Sequence, residues 1–188
     1  MIDENAFGLL IAYYNLEDDE YAGEREDFIE RYADFASAVG EQLSQAPLAS
    51  SGRALDLGHA IYVEFLEGDQ ERDPIAWLRA TRAHLTERGY ATAGMLTFGA
   101  TWLDSAKPRP ELSEAGNLKL VRASLPSEPL RRALLAEAAT HGDDEAGVEG
   151  WGAGLYLDVD AVEALNRKPK NAPTILRTGG AQFYRGGS

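Results

Sequence analysis

The sequence contains no cysteine. Disulfides, thiolate metal sites and a cysteine nucleophile are therefore excluded. No apolar run approaches the length of about 18 residues that a membrane helix takes. The longest, AFGLLIAYY (6–14), is strand-sized. The three histidines, His59, His84 and His141, stand on separate segments and form no His-x-x-x-His zinc pair. There is no G-x-S-x-G elbow, and GWGAG (150–154) is not a dinucleotide-binding glycine pattern. The first residues, MIDENAF, carry acids where a secretory signal carries positive charge. A cytoplasmic location is the resulting expectation.

The 188 residues are rich enough in apolar groups, at 44%, to bury a real core. Net charge is −13. Nucleic acid and anionic membranes are poor partners for such a chain, because binding phosphate needs a basic surface. A basic protein suits it better. The charge is uneven. Residues 1–30 hold ten acids and one base, whereas residues 164–188 hold five bases and no acid.

Periodicity gives the elements. AFGLLIAYYN (6–15) is apolar on both alternating faces and reads as a buried strand. Phe28, Tyr32, Phe35, Ala36, Val39 and Leu43 recur at helical spacing from about Glu24 to Gln45. ALDLGHAIYVEFLEG (54–68) reads as a strand. A helix follows with Asp73 as N-cap, Pro74 in its first turn and Gly89 as its stop, burying Trp77, Leu78, Thr81 and Leu85. Residues 91–103 and 118–125 read as strands joined by a proline-containing loop. Ser127 caps the next helix, whose inner face is expected to be Leu130, Ala133, Leu134 and Ala138. A strand from Leu155 to Val159, a short helix from Ala161 and a glycine-broken hairpin near the end complete the order β-α-β-α-β-β-α-β-(α)-β.

This order predicts an α+β fold with a mostly antiparallel sheet. Its core is a ferredoxin-like β-α-β-β-α-β run from residue 56 to 159, preceded by an extra β-α unit and followed by a C-terminal strand. The chain reads as a single domain, 1–188. Within it the divisions are an N-terminal β-α portion (1–46), a core (54–165) and a basic C-terminal strand segment (166–188).

Two features invite a metal or catalytic reading. Asp158 and Asp160 lie two apart at a strand end, where paired carboxylates can share a cation. However, Asp160 precedes Glu163 and Leu165 in a capping-box spacing, which assigns Asp160 to the backbone of the next helix. HGDDE (141–145) offers a histidine beside acids, but its place just past a helix suits a C-terminal stop. No metal and no cofactor are expected. The sharpest binding candidate is the acidic loop after the first strand, with Tyr14, Glu17, Asp18, Asp19, Glu20 and Tyr21. Its carboxylates would steer a cationic protein and its rings would anchor it.

No active site assembles from these residues, so the composition favours a non-enzymatic binding protein. The expectation is an inhibitor, of the kind represented by bacterial immunity proteins, that covers a toxin or another basic protein. The alternative is a small-molecule-binding domain or small enzyme on a ferredoxin-like sheet, with His59, Trp102 and Tyr156 lining its pocket. A third reading is a self-associating module, and both monomer and homodimer are open.

Overall fold

The computed structural model describes residues 4–14, 25–101, 127–141, 152–167, 175–178 and 180–186. Among these described residues, seven strands form one mixed sheet: β1 (Glu4–Tyr13), β2 (Arg53–Asp56), β3 (Ala60–Leu66), β4 (Thr92–Thr101), β5 (Gly154–Asp158), β6 (Ile175–Thr178) and β7 (Ala181–Gly186). Four helices accompany them: α1 (Arg25–Gln45), α2 (Pro74–Glu87), α3 (Glu128–His141) and α4 (Val159–Ala164). The strand order is β2-β3-β1-β4-β5-β7-β6. Every neighbouring pair is antiparallel except β4 and β5, which run parallel. The α+β class with a mixed sheet is therefore the observed architecture. Among the described residues no helix is long and apolar enough to cross a membrane.

β1 is apolar on both faces because both faces are covered. Phe7, Leu9, Ile11 and Tyr13 join Phe35 and Val39 of α1, Leu78 and Leu85 of α2, and Val162 of α4 in one core. Leu10 and Ala12 face the other way, with Tyr62, Met95, Tyr156 and Phe183, under Leu130, Ala133 and Ala136 of α3. Along its length β1 pairs with β3 from Ala6↔Leu66 to Ala12↔Ala60, and with β4 from Glu4↔Thr101 to Tyr13↔Thr92.

Among the described residues a β-α-β-β-α-β run spans Glu4–Thr101, opened by the β-α unit counted as an extra; the run expected over residues 56–159 depends on the strand at 118–125. The cause is local. Residues 54–68 form two strands, because the chain reverses at Gly58, which has φ +83°. The Asp56 carboxylate accepts the Gly58 N–H at 2.8 Å and closes the turn. Leu57 consequently packs on the α3 side, opposite Ile61, Val63 and Phe65. The strand expected at 118–125 falls outside the described residues.

α2 follows its sequence punctuation. Asp73 caps it, accepting the Ile75 N–H at 3.1 Å, and Gly89 turns the chain at φ +88°. α3 is rotated from the expected phase. Leu130, Ala133, Ala136 and Thr140 are buried, whereas Leu134 and Ala138 are exposed. Polar contacts at both ends of the helix, described below, set this rotation. The sheet also allows α3 to approach closely. A Cβ on Gly8 would lie 2.6 Å from the Tyr62 hydroxyl, 2.7 Å from Thr97 Oγ1 and 2.9 Å from Pro129 Cβ.

Gly8→Ala should therefore overpack the α3 face and cost about 1–3 kcal/mol. Urea denaturation measures it; a loss below about 0.5 kcal/mol, the scatter of an ordinary surface change, would show that α3 yields freely.

Candidate functional site

Two polar centres fix the start of α3. Glu64 of β3 is 1% exposed and points to the α3 side. Its carboxylate accepts from Tyr62 Oη at 2.6 Å, Thr101 Oγ1 at 2.7 Å, Arg53 Nη2 at 3.0 Å and the Ser127 hydroxyl. A buried carboxylate is tolerable only with such a complement of donors. Burial first, and then the Glu64 charge, raise the Tyr62 phenol well above its ordinary range. Ser127 Oγ also accepts the Leu130 N–H at 3.3 Å, so one hydroxyl caps the helix and ties it to the sheet.

The second centre is Arg132. Its Nη1 donates to Asp158 at 2.9 Å and to Asp160 at 2.5 Å, and its Nε to Glu128 at 3.1 Å. The cation between the paired aspartates is thus a guanidinium. Asp158, not Asp160, caps α4, accepting the Asp160 N–H at 3.1 Å. Burial raises the Asp158 pKa, opposed by Arg132. Burial works against the Arg132 charge, but Asp160 and Asp158 reverse the balance and its pKa ends raised. Arg131 first, with Arg132 behind it, holds Glu128 down to about 2. Among the described residues no three His, Asp or Glu side chains converge to hold a metal ion.

The other end of α3 meets the sheet where β1 ends and the β2–β3 turn closes. His59 follows Gly58 in that turn, and its carbonyl accepts the Tyr13 N–H at 3.1 Å. Its Nδ1 lies 3.3 Å from the Leu57 carbonyl and its Nε2 3.3 Å from Glu137 Oε2. Tyr14, the next residue of β1's exit, donates its hydroxyl to the Thr140 carbonyl at 2.7 Å. Glu137 and Thr140 are one helical turn apart, so His59 and Tyr14 hold the same turn of α3. Tyr32 of α1 donates to Asp56 at 2.6 Å behind the turn. Its phenol is raised, first by burial and then by Asp56.

His59 therefore lies outside the strands, although residues 54–68 read as one. It stands at a hairpin turn with its side chain 39% exposed, between a carboxylate and solvent. Its pKa is raised, first by the hydrogen bond to Glu137, with burial opposing and the charges of Glu137 and Asp56 assisting. That combination favours the protonated imidazolium more than a free imidazole does.

Of the residues singled out in the sequence, the structure brings His59, Tyr14 and Tyr156 to one end of the sheet. Tyr156 is fully buried and donates to the Gly152 carbonyl at 2.6 Å, and a Cβ on Gly152 would sit 3.2 Å from the Tyr14 hydroxyl. Trp102 and the acidic loop residues Glu17, Asp18, Asp19, Glu20 and Tyr21 lie outside the described residues. Sequence reasoning missed Glu64, Arg132 and Glu137, which are distant in the chain from the groups they serve. An open depression of about 310 Å³ lies away from this end, where Arg167 bridges to Asp73 beside Arg72 and Leu165.

The His59–Glu137 pair sets a pH dependence. A raised folded pKa stabilises the fold fully below the unfolded value near 6.5 and loses that contribution as pH rises through the folded value. Since the pair is partly exposed, its worth is below about 1 kcal/mol. The stability difference between the wild type and Glu137→Gln should be largest at about pH 5.5–6 and shrink toward pH 9. Thermal or urea unfolding across that range measures it; a difference growing with pH contradicts the assignment.

No protein-family model matches the chain, and neither does any curated protein sequence. Solved structures do match. The guanylyl cyclase Cya2 superposes with a TM-score of 0.53 at 10% identity, over 98% of this chain and 93% of that one. The adenylyl cyclase CyaB from P. aeruginosa superposes with a TM-score of 0.51 at 8% identity, over 98% and 94%. At such identity the likeness is one of fold. It nevertheless corrects the expectation of an immunity-type toxin inhibitor and that of a non-enzymatic chain. Both rested on an acidic composition, and net charge speaks to solubility and association, not to fold. The backbone follows those of the two cyclases over almost its whole length.

Proposed function

We propose that the chain is a small-molecule-binding domain of enzyme type whose ligand is a purine nucleotide. The ligand would be bound at the sheet end where β1 exits and His59 and Tyr14 stand. The observation that carries this reading is the likeness to a guanylyl and an adenylyl cyclase across 98% of the chain. We take β1–β4 with α1 and α2 as its ferredoxin-like core, to which β5, β7 and β6 add the remaining strands.

Three features of the sheet end support the reading. His59 is accessible and oriented from behind by Glu137, as a general acid or an anion-binding imidazolium needs to be. The backbone around it is fixed by the Asp56 turn and by the Tyr13 N–H bond to its carbonyl. The site sits on strand ends packed on both faces, which hold side chains more rigidly than free loops do.

Titration of the chain with ATP and with GTP, with and without a divalent cation, tests the proposal. Saturable binding of at least one nucleotide is expected, and His59→Ala should weaken it about tenfold, the worth of one charge-assisted hydrogen bond. Product analysis by mass spectrometry after incubation reads any turnover. Absence of saturable binding of either nucleotide at millimolar concentration would sink the reading.

A further inference from the structure

Both ring nitrogens of His59 face acceptors. Nδ1 lies 3.3 Å from the Leu57 carbonyl, inside the β2–β3 turn. Nε2 lies 3.3 Å from Glu137 Oε2 on α3. A carbonyl and a carboxylate offer lone pairs and no proton. A neutral imidazole carries one N–H and one lone pair, whereas an imidazolium carries two N–H groups. Only the imidazolium therefore satisfies both contacts. Either neutral tautomer sets a nitrogen lone pair against an oxygen lone pair, at the turn or at the helix.

The groups around the ring come from four elements. Glu137 faces it from α3, and Asp56 acts on it from the end of β2. Asp56 is itself fixed, accepting the Gly58 N–H at 2.8 Å and the Tyr32 hydroxyl of α1 at 2.6 Å. From the exit of β1, Tyr14 donates its hydroxyl to the Thr140 carbonyl at 2.7 Å. That bond does not turn on the His59 proton. The last turns of α3 thus have two ties to this end of the sheet, one that depends on a proton and one that does not. The backbone links them, because the His59 carbonyl accepts the Tyr13 N–H at 3.1 Å.

We infer that His59 is a proton-operated latch: its imidazolium ties the β2–β3 turn to α3, and loss of one proton opens one of the two contacts while Tyr14 keeps the helix in place. The sheet end is then tight in acid and loosens as pH rises through the His59 titration. The Glu137 hydrogen bond, first among the causes, moves that titration above the free value near 6.5. The latch is a property of the fold and does not rest on the nucleotide reading.

The test joins nitrogen NMR of the histidine rings to amide hydrogen exchange in the full chain, at about pH 6 and about pH 9. At the lower pH both His59 nitrogens should carry protons; at the higher pH one should not. Protection of Ala136–Thr140, referred to the unstructured exchange rate at each pH, should fall about three- to fivefold over that range, the scale of a partly exposed ion pair. Protection of α2 should not follow it. Glu137→Gln should abolish the fall, because its amide can accept from the imidazolium and donate to the neutral ring. Tyr14→Phe should keep a fall at least as large as the wild type's. If Glu137→Gln unfolds, His59→Gln, which has no proton to lose, carries the comparison with the same expectation. A His59 ring with a single proton at about pH 6 overturns the latch. So does protection that stays constant while His59 titrates, or a fall that persists in Glu137→Gln.

Discussion

The buried carboxylate of Glu64 is the contact on which the second face of the sheet depends. It accepts from Thr101, the last residue of β4, and from Ser127, the residue that opens α3. Residues 102–126 separate those two in the chain. One side chain on β3 thus joins the exit from β4 to the entry into α3. Because the carboxylate is desolvated, each donor matters. Losing one would leave part of a buried charge unsatisfied.

From that anchor the rest of α3 follows. Thr97 Oγ1 bonds the Pro129 carbonyl at 2.8 Å, and Arg132 reaches Asp158 across β5's end. At the far end, Glu137 and the Thr140 carbonyl take His59 and Tyr14. The helix has a thin apolar face of Leu130, Ala133 and Ala136. Its placement therefore relies on directional polar contacts more than on buried area, and those contacts specify one rotation. The opposite face is different. There Phe7, Phe35, Phe65, Leu78 and Leu85 supply large apolar groups.

Much of this was legible in the sequence, and the exceptions share a cause. β1, α1, α2 and the terminal hairpin carry their signals locally, in alternation, helical spacing or the Asp73-Pro74 and Gly89 punctuation. The β2–β3 turn was hidden because ALDLGHAIYV is apolar enough to pass for one strand, and Gly58 alone marks the reversal. That single turn completes a β-α-β-β-α-β order that begins at β1. The phase of α3 was misjudged because Leu134 looks like core. The contacts that turn it outward come from His59 and Tyr14, 75 or more residues away. The cap of α4 falls to Asp158 and not to Asp160 for a similar reason: Arg132 engages both carboxylates, and the second oxygen of Asp158 accepts the Asp160 N–H. The candidate site itself was half visible. His59, Tyr14 and Tyr156 could be picked out by type, but Glu137, Arg132 and Glu64 gain meaning only from the partners that folding brings to them.

Hydrogen exchange in Glu64→Gln tests the dependence most directly, since the substitution keeps the shape and removes the charge that gathers the donors. The account predicts a selective loss of amide protection in α3 and in the last residues of β4, with α2, β1 and β3 still protected. Protection in α3 equal to that of the wild type, or a uniform loss across every element, would contradict it.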